Sequence, residues 1–270
     1  METQPPPAAA GTTERLRFSV ATVTYNAAGL IGRTIESVER QSYPHVEHII
    51  VDGNSDDDTL VHIHRYQERN SRRREPRDIV CRTEPDKGIY DAMNKALGLA
   101  TGDYILFLNA GDTFHDSHVL DDIARQLGPQ RPAVVYGHTD IVDADGRFVR
   151  HRRLAPPRRL TWRSFRWGML VCHQSFLART DLARETPYDL GYRFSADFDW
   201  CIRLLRRAAQ KGLETTGTGR VVSHFLEGGA TTRHHGASLA ERMRIMARHY
   251  GWPATLARHV WFLLRAIIKR

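Results

Sequence analysis

Between Arg17 and Asn109, short runs of β-branched and other apolar residues alternate with stretches of helical periodicity, which predicts a parallel sheet covered by helices. The strand candidates are Phe18–Thr24, Val46–Val51, Asp78–Cys81 and Tyr104–Leu108. Helical spacing marks Leu30–Arg40 through Ile31, Ile35 and Val38. It marks Thr59–Gln67 next, then Ile89–Ala100, where Met93, Leu97 and Ala100 share a face. Ser55-Asp56-Asp57-Asp58 supplies capping chemistry ahead of the second of these helices. Beyond Asp112 the pattern is less regular. It predicts a helix over Val119–Leu127, strands over Ala133–Tyr136 and Ile141–Val149 with a turn at Asp145-Gly146, a strand over Val171–Ala178, a helix over Ser195–Ala209 and a last strand over Gly219–Phe225.

Each of the first four strands ends in polar residues: Asn26, Asp52, Asp86, then Asn109 and Asp112. In an open α/β sheet the carboxyl ends of the strands border the ligand crevice, so distant parts of the chain deliver acids and amides to one place. Asp and Asn also favour strand-ending turns for local reasons, which accounts for any one of them singly but poorly for the set.

With 270 residues, 41% of them hydrophobic and 26% charged, the chain can bury a substantial core, which excludes a disordered class. The charge is unevenly spread: residues 1–146 carry 15 basic and 23 acidic side chains, residues 147–270 carry 24 and 8. Arg147–Arg166 alone holds eight Arg and no acid, suiting either a basic loop beside an anionic partner or a solvated one. Cys81, Cys172 and Cys201 are odd in number and far apart. They read as core thiols in a reducing compartment, not as a disulfide framework. Residues 1–15 read as a flexible Pro/Ala-rich lead without the charged and apolar regions of a signal peptide, and no apolar run reaches the ~20 residues of a spanning helix.

Four strings occur in order: VTYN (Val23–Asn26), VDGNSDDDT (Val51–Thr59), EPDKGIYDAMNKAL (Glu84–Leu97) and TGDYILFLNAGD (Thr101–Asp112). Together they resemble the inverting family 2 glycosyltransferases with the GT-A fold, of the branch that builds bacterial surface polysaccharides such as colanic acid. The resemblance covers about residues 17–230 and implies a Rossmann-like, mostly parallel central sheet flanked by helices. Residues 16–232 then form the transferase domain, with 16–112 as its nucleotide-sugar half and 113–232 as its acceptor half.

The resemblance implies a role for each matched residue. Thr24, Tyr25 and Asn26 would line the nucleotide pocket, with Asn54 and the Asn109-Ala110-Gly111 turn also on the donor. Asp52 would accept from the nucleobase, and Asp86-Lys87-Gly88 would close over base and ribose, with Asn94 on the following helix. Uracil offers an N–H to a carboxylate, and Gly lets backbone come close. Where relatives carry Asp-x-Asp-Asp, this chain reads Asn109-Ala110-Gly111-Asp112, so a single carboxylate remains for a divalent Mn or Mg ion arriving with the nucleotide. His224 stands where some relatives offer a late His ligand, or is a structural histidine. Asp197, in the string FSADFDW (Phe194–Trp200), matches the reaction-centre acid and would be the base; Asp199 would face the acceptor side or brace its surroundings. His173 and Gln174 fit the segment flanking the acceptor, although His173 suits a buried strand position equally.

The expected reaction moves a sugar from a UDP-linked donor to a saccharide or polyprenyl-diphosphate-linked acceptor at the cytoplasmic face of the membrane. Residues 233–270, with eight basic side chains and one acid, add a basic amphipathic helical appendage. Its apolar arc runs through Leu256, Val260, Leu263, Leu264, Ile267 and Ile268, with Arg258, Arg265 and Lys269 opposite and Phe262 breaking the polar face. Such a helix suits an anionic membrane surface, or packs on the domain with its basic face in water. Nucleic acid is not an expected partner: the acidic half would repel phosphate and no recognised motif is present. The His62/His64 and His234/His235 pairs lack a zinc frame and read as solvated. No glycine fingerprint follows the first strand, which argues against a dinucleotide-dependent oxidoreductase. The alternatives are a membrane-docked binding scaffold with an eroded metal motif, and a nucleotidyltransferase.

Overall fold

The computed structural model describes residues 15–228 and 235–268, without the side chains of His235 and residues 263–268. Nearly all of the expected N-terminal lead, together with Lys269 and His234, lies outside the described residues.

The first half follows the hydrophobic pattern closely. Strands β1 (Phe18–Thr24), β2 (Val46–Asp52), β3 (Asp78–Thr83) and β4 (Tyr104–Phe107) alternate with helices α1 (Ala28–Glu39), α2 (Thr59–Ser71) and α3 (Ile89–Leu99). All neighbouring pairs in the order β3-β2-β1-β4 are parallel, so these strands end at one edge. Side chains alternate across the sheet. Ile50 packs with Ile31, Ile35, Ile63 and Tyr66 on the α1/α2 side, whereas Ile49 and Val51 join Met93, Phe107 and Trp200 on the other.

Residues 113–228 continue the same sheet with mixed pairing, mostly antiparallel but with one long parallel pair, the sixth and ninth strands. The elements are β5 (Thr113–Phe114), α4 (Val119–Leu127), β6 (Val134–Val142), β7 (Phe148–His151), β8 (Phe176–Arg179), α5 (Thr180–Arg184), α6 (Ala196–Gln210) and β9 (Thr215–Leu226). The order runs on as β4-β8-β6-β9-β5, with β7 against β6. Here the expected boundaries fail in three places. The two strands expected over 133–149 are one strand, β6, followed by a turn and a short β7. Gly137 does not interrupt β6 but admits the irregular β9, since a Cβ there would lie 2.5 Å from Val222 and 2.7 Å from the Arg220 carbonyl. The expected strand over 171–178 is instead a 3₁₀ turn at His173–Ser175 leading into β8. The last strand begins earlier, at Thr215.

The Arg147–Arg166 run is anchored, not free: the Tyr136 hydroxyl contacts the Pro157 and Arg158 carbonyls at 2.9 and 3.0 Å, and Leu160 is buried. The C-terminal segment forms α7 (His235–Tyr250) and α8 (Trp252–Ile268), broken at Gly251 with φ +83°. Helix α7 buries Ile245 and Met246 in the main core. Phe262, which breaks the polar face of α8, packs on that core, leaving Trp252, Leu256, Val260 and Trp261 exposed. No described helix is long and apolar enough to cross a membrane.

At the sheet end away from the polar strand termini, Glu47 is buried on β2. It accepts hydrogen bonds from Ser19, from the Thr101 backbone and hydroxyl, from the Gly102 N–H at 3.0 Å and from Arg17 at 3.2 Å. Burial raises its pKa, but these donors outweigh that and leave it below the ordinary value. His48 beside it is fully buried between the Thr22 hydroxyl at 3.0 Å and the Tyr66 hydroxyl at 3.3 Å, and burial drives its pKa down to about 3.

Removing the Glu47 carboxylate in Glu47→Ala strands several buried donors and should cost on the order of 3 kcal/mol in urea unfolding. The folded state keeps His48 neutral where the unfolded chain protonates near pH 6.5, so stability should fall as pH drops below that value. Glu47, whose folded pKa is depressed, contributes stability above its unfolded value of 4.5 that is lost at lower pH still. Urea titrations across pH 4 to 8 on the native chain and on His48→Gln check the first limb, which should flatten in the variant.

Candidate active site

The β1–α1 and β2–α2 turns are zipped together by short polar side chains. Asp52, 1% exposed, accepts from the Ser55 N–H at 2.9 Å and the Ser55 hydroxyl at 2.5 Å, and Ser55 Oγ accepts the Asn26 N–H at 2.9 Å. Asn26 returns the contact by accepting the Asp56 N–H at 3.0 Å. Asn26 and Asn54 adopt φ of +46° and +67°, the left-handed region that Asn tolerates best after Gly. Asp52 is thus buried and held by Ser55 through both oxygens, organising the two turns.

Asp86 lies against these turns from the segment after β3. Its Oδ1 accepts the Gly88 N–H at 2.7 Å. A Cβ added to Gly53 would lie 2.6 Å from Asp86 Oδ2 and 3.3 Å from the Tyr25 ring. Tyr25, Gly53 and Asp86, from three different strand ends, are thus in contact, and Tyr25 stands 62% exposed. Thr24 is buried beside them with its hydroxyl unpartnered. Lys87 and Gly88 are exposed at the start of α3. Asn94 is spent elsewhere: its amide oxygen accepts the Tyr188 N–H at 2.7 Å and its nitrogen donates to the Tyr188 carbonyl at 3.0 Å.

Helix α3 links this cluster to a second one. Tyr90, two residues past Gly88, donates to Asp197 Oδ1 at 3.2 Å, and the other Asp197 oxygen faces His173 Nδ1 at 3.3 Å. His173 Nε2 in turn lies 3.3 Å from the Asn109 amide nitrogen. Burial raises the Asp197 pKa, but the His173 contact and the charges of His173 and Arg242 outweigh it, holding the carboxylate below its ordinary value. Asp197 is thus kept ionised, with His173 as its orienting partner.

Asp112 is buried, its Oδ2 accepting Gln174 Nε2 at 2.8 Å and its Oδ1 the Leu226 N–H at 3.1 Å. Burial pushes its pKa up to about 6. Gln174 is wholly buried, bracing Asp112 and receiving the Cys172 thiol, so it has no face toward an acceptor. Asp199 is likewise wholly buried, ion-paired with Arg203 and, at 2.7 Å, with His249. It braces α6 against α7. His224 does not join Asp112: its Nε2 lies 2.9 Å from His115 Nδ1, and with Asp140 these form a separate group. The motif turn offers oxygen ligands only, the Asp112 carboxylate and the buried Asn109 Oδ1, which has no partner in the protein. That orphaned acceptor and carboxylate fit a hard divalent ion that draws its other ligands from a diphosphate. Gly111, φ +102°, closes the turn where a Cβ would come within 2.8 Å of Leu226.

Three contributors escape sequence reading. Tyr90 sits in a helical pattern that reads as core. Glu241, on α7, accepts the N–H groups of Arg193, Phe194 and Ser195 at 2.8 to 2.9 Å, fixing the chain just ahead of Asp197. His249 fixes Asp199 one turn later. The sole hint in the sequence is an isolated Glu in a basic segment.

The family model described as Glycosyl transferase family 2 matches residues 19–186. A PGL/p-HBAD biosynthesis glycosyltransferase of Mycobacterium tuberculosis is 31% identical over 194 residues, 71% of each chain. Among solved structures, Staphylococcus aureus TarS 1–349 in complex with UDP-GlcNAc aligns with TM-score 0.65 at 18% identity, over 92% of this chain and 73% of that one. The mannosyltransferase PcManGT of Pyrobaculum calidifontis, in complex with GDP-Man and Mn2+, aligns with TM-score 0.61 at 18% identity, over 94% and 77%. The strand-end site is therefore set in a GT-A fold, and the chain belongs to glycosyltransferase family 2.

Proposed function

We propose that this glycosyltransferase transfers a sugar with inversion from a nucleotide donor, UDP-linked, to a hydroxyl of a saccharide or polyprenyl-diphosphate-linked acceptor, with Asp197 as the base. The observation that carries the reading is the half-buried, ionised Asp197 carboxylate, oriented through one oxygen by Tyr90 and through the other by His173. As the acceptor oxygen attacks the anomeric carbon, its proton passes to Asp197, the new C–O bond forms on the face opposite the departing diphosphate, and the old C–O bond breaks. Tyr25 would stack on the base and the Asp86 carboxylate would accept its N–H, while Gly88 lets the loop close over the ribose. Asp112 and Asn109 would hold a divalent ion, which when bound neutralises charge on the leaving diphosphate. The nucleotide-sugar donors bound in TarS and PcManGT support this class of substrate.

The acceptor reading draws on the C-terminal surface. Trp252, Leu256, Val260 and Trp261 are exposed on α8, Trp167 is exposed beside them, and Arg258 lies 3.7 Å from the Trp167 ring centre. Aromatic and aliphatic side chains interleaved with Arg suit an anionic lipid interface, supporting a peripheral location on the cytoplasmic face.

Purified protein with Mg2+ or Mn2+ should hydrolyse or transfer from UDP-sugars, and inactivity with UDP-, GDP- and dTDP-sugars alike rejects the reading. Asp197→Asn should lower kcat by about a thousandfold while the melting-point rise given by UDP persists; unchanged turnover would favour the scaffold alternative. Sedimentation with vesicles containing anionic lipid should recover the native chain, and Leu256→Asp/Val260→Asp should stay in the supernatant.

A further inference from the structure

We propose that His115, Asp140 and His224 form a second cation site, for a zinc-class transition-metal ion, separate from the donor site and independent of nucleotide. The pleat of the sheet assembles it. Thr113 is opposite His224 across β5 and β9, and Asp140 is opposite His224 across β9 and β6, so three neighbouring strands contribute to one row. His115, two residues beyond Thr113, returns to the same face, and its N–H still donates to the Val222 carbonyl at 3.0 Å. The intervening Thr139 and Ser223 meet Ser175 instead, on the opposite face by strand alternation. Residues 115, 140 and 224 therefore point away from the hydroxyl cluster that backs Gln174.

The geometry suits a metal. One ligand atom from each of the three residues lies within 4.8 Å of the others, and the closest pair, His115 Nδ1 and His224 Nε2, is 2.9 Å apart. A tetrahedral ion at about 2.0–2.2 Å from its ligands separates them by roughly 3.3 Å, inside that range. Two imidazoles and a carboxylate are the donors of zinc-class ions, whereas Mg2+ and Ca2+ prefer oxygen alone. Asp140 is buried and its carboxylate is oriented by His151 Nδ1 at 2.8 Å, the outer contact that ligating groups in metal sites commonly make. Arg33, Asp116 and Asp140 are the charged groups that face His224. An ion here would tie β5, only two residues long and directly following Asp112, to β9 and β6.

The test uses untagged full-length protein without nucleotide. Co2+ titration should give a saturable visible absorption of tetrahedral type at one equivalent, displaced by Zn2+, and Zn2+ should raise the melting point. His115→Ala, a change at an exposed side chain, and His224→Ala should each weaken Co2+ binding at least tenfold, while Asp112→Asn should leave it unchanged. Absence of saturable uptake, unchanged affinity in His115→Ala, or loss of the signal in Asp112→Asn would each overturn the proposal. Should His224→Ala fail to fold, the His115 variant decides.

Discussion

A carboxylate partly withdrawn from water must be met by donors, and the way Asp197 meets that requirement ties the centre of this molecule together. Its two oxygens are held by side chains from different layers: Tyr90 at the start of α3 and His173 in the turn before β8. His173 reaches on to Asn109 at the end of β4. The parallel half of the sheet and its mixed continuation are therefore joined by polar contacts at their common edge as well as by the β4–β8 pairing. Placing a negative charge in this position is tolerable only because the helix, the turn and the strand end arrive together.

Around that centre, charged groups that do no chemistry hold the elements in place. Glu47 gathers donors from β1 and the loop before β4 at the far end of the sheet, where no site residues lie. Glu241 and His249 fasten α7 to the first turns of α6, so the C-terminal segment helps to aim Asp197. Such paired carboxylates add modestly to net stability, but removing one partner is costly, and their geometry is correspondingly specific. The uneven charge of the sequence also acquires a location: Arg163, Arg166 and Arg206 surround Trp162, with ring-centre distances of 4.6, 5.9 and 4.5 Å, and Trp162 stacks on Tyr250 of α7. The basic run is thus mortared to the C-terminal helices by cation–π contacts.

The parallel half was legible from the chain because its signals are local. Alternation and helical spacing state where β1 through α3 lie to within a few residues, and turn chemistry marks their polar ends. The four motif strings carried the family. The 3₁₀ turn at His173–Ser175 was not legible, since an apolar run says nothing about a histidine that must rotate to meet Asp197 across the sheet. The continuous β6 was hidden because the apolar pattern lapses over residues 137–140, where Gly137 gives room for the irregular β9.

Which partner each polar motif residue takes could not be read along the chain. Asp52, Asp112, Gln174 and Asp199 stand at motif positions as plainly as Asp86 and Asp197, but nothing local says that Asp52 meets Ser55, that Asp112 meets Gln174 and Leu226, or that Asp199 meets Arg203 and His249. His224 looks like a partner for Asp112 until the register sets it opposite Thr113 and Asp140. Periodicity records which face of its own element a residue occupies. The identity of its neighbours depends on strand order and register, set by contacts between residues as much as 114 positions apart, as with the Leu226 N–H on Asp112.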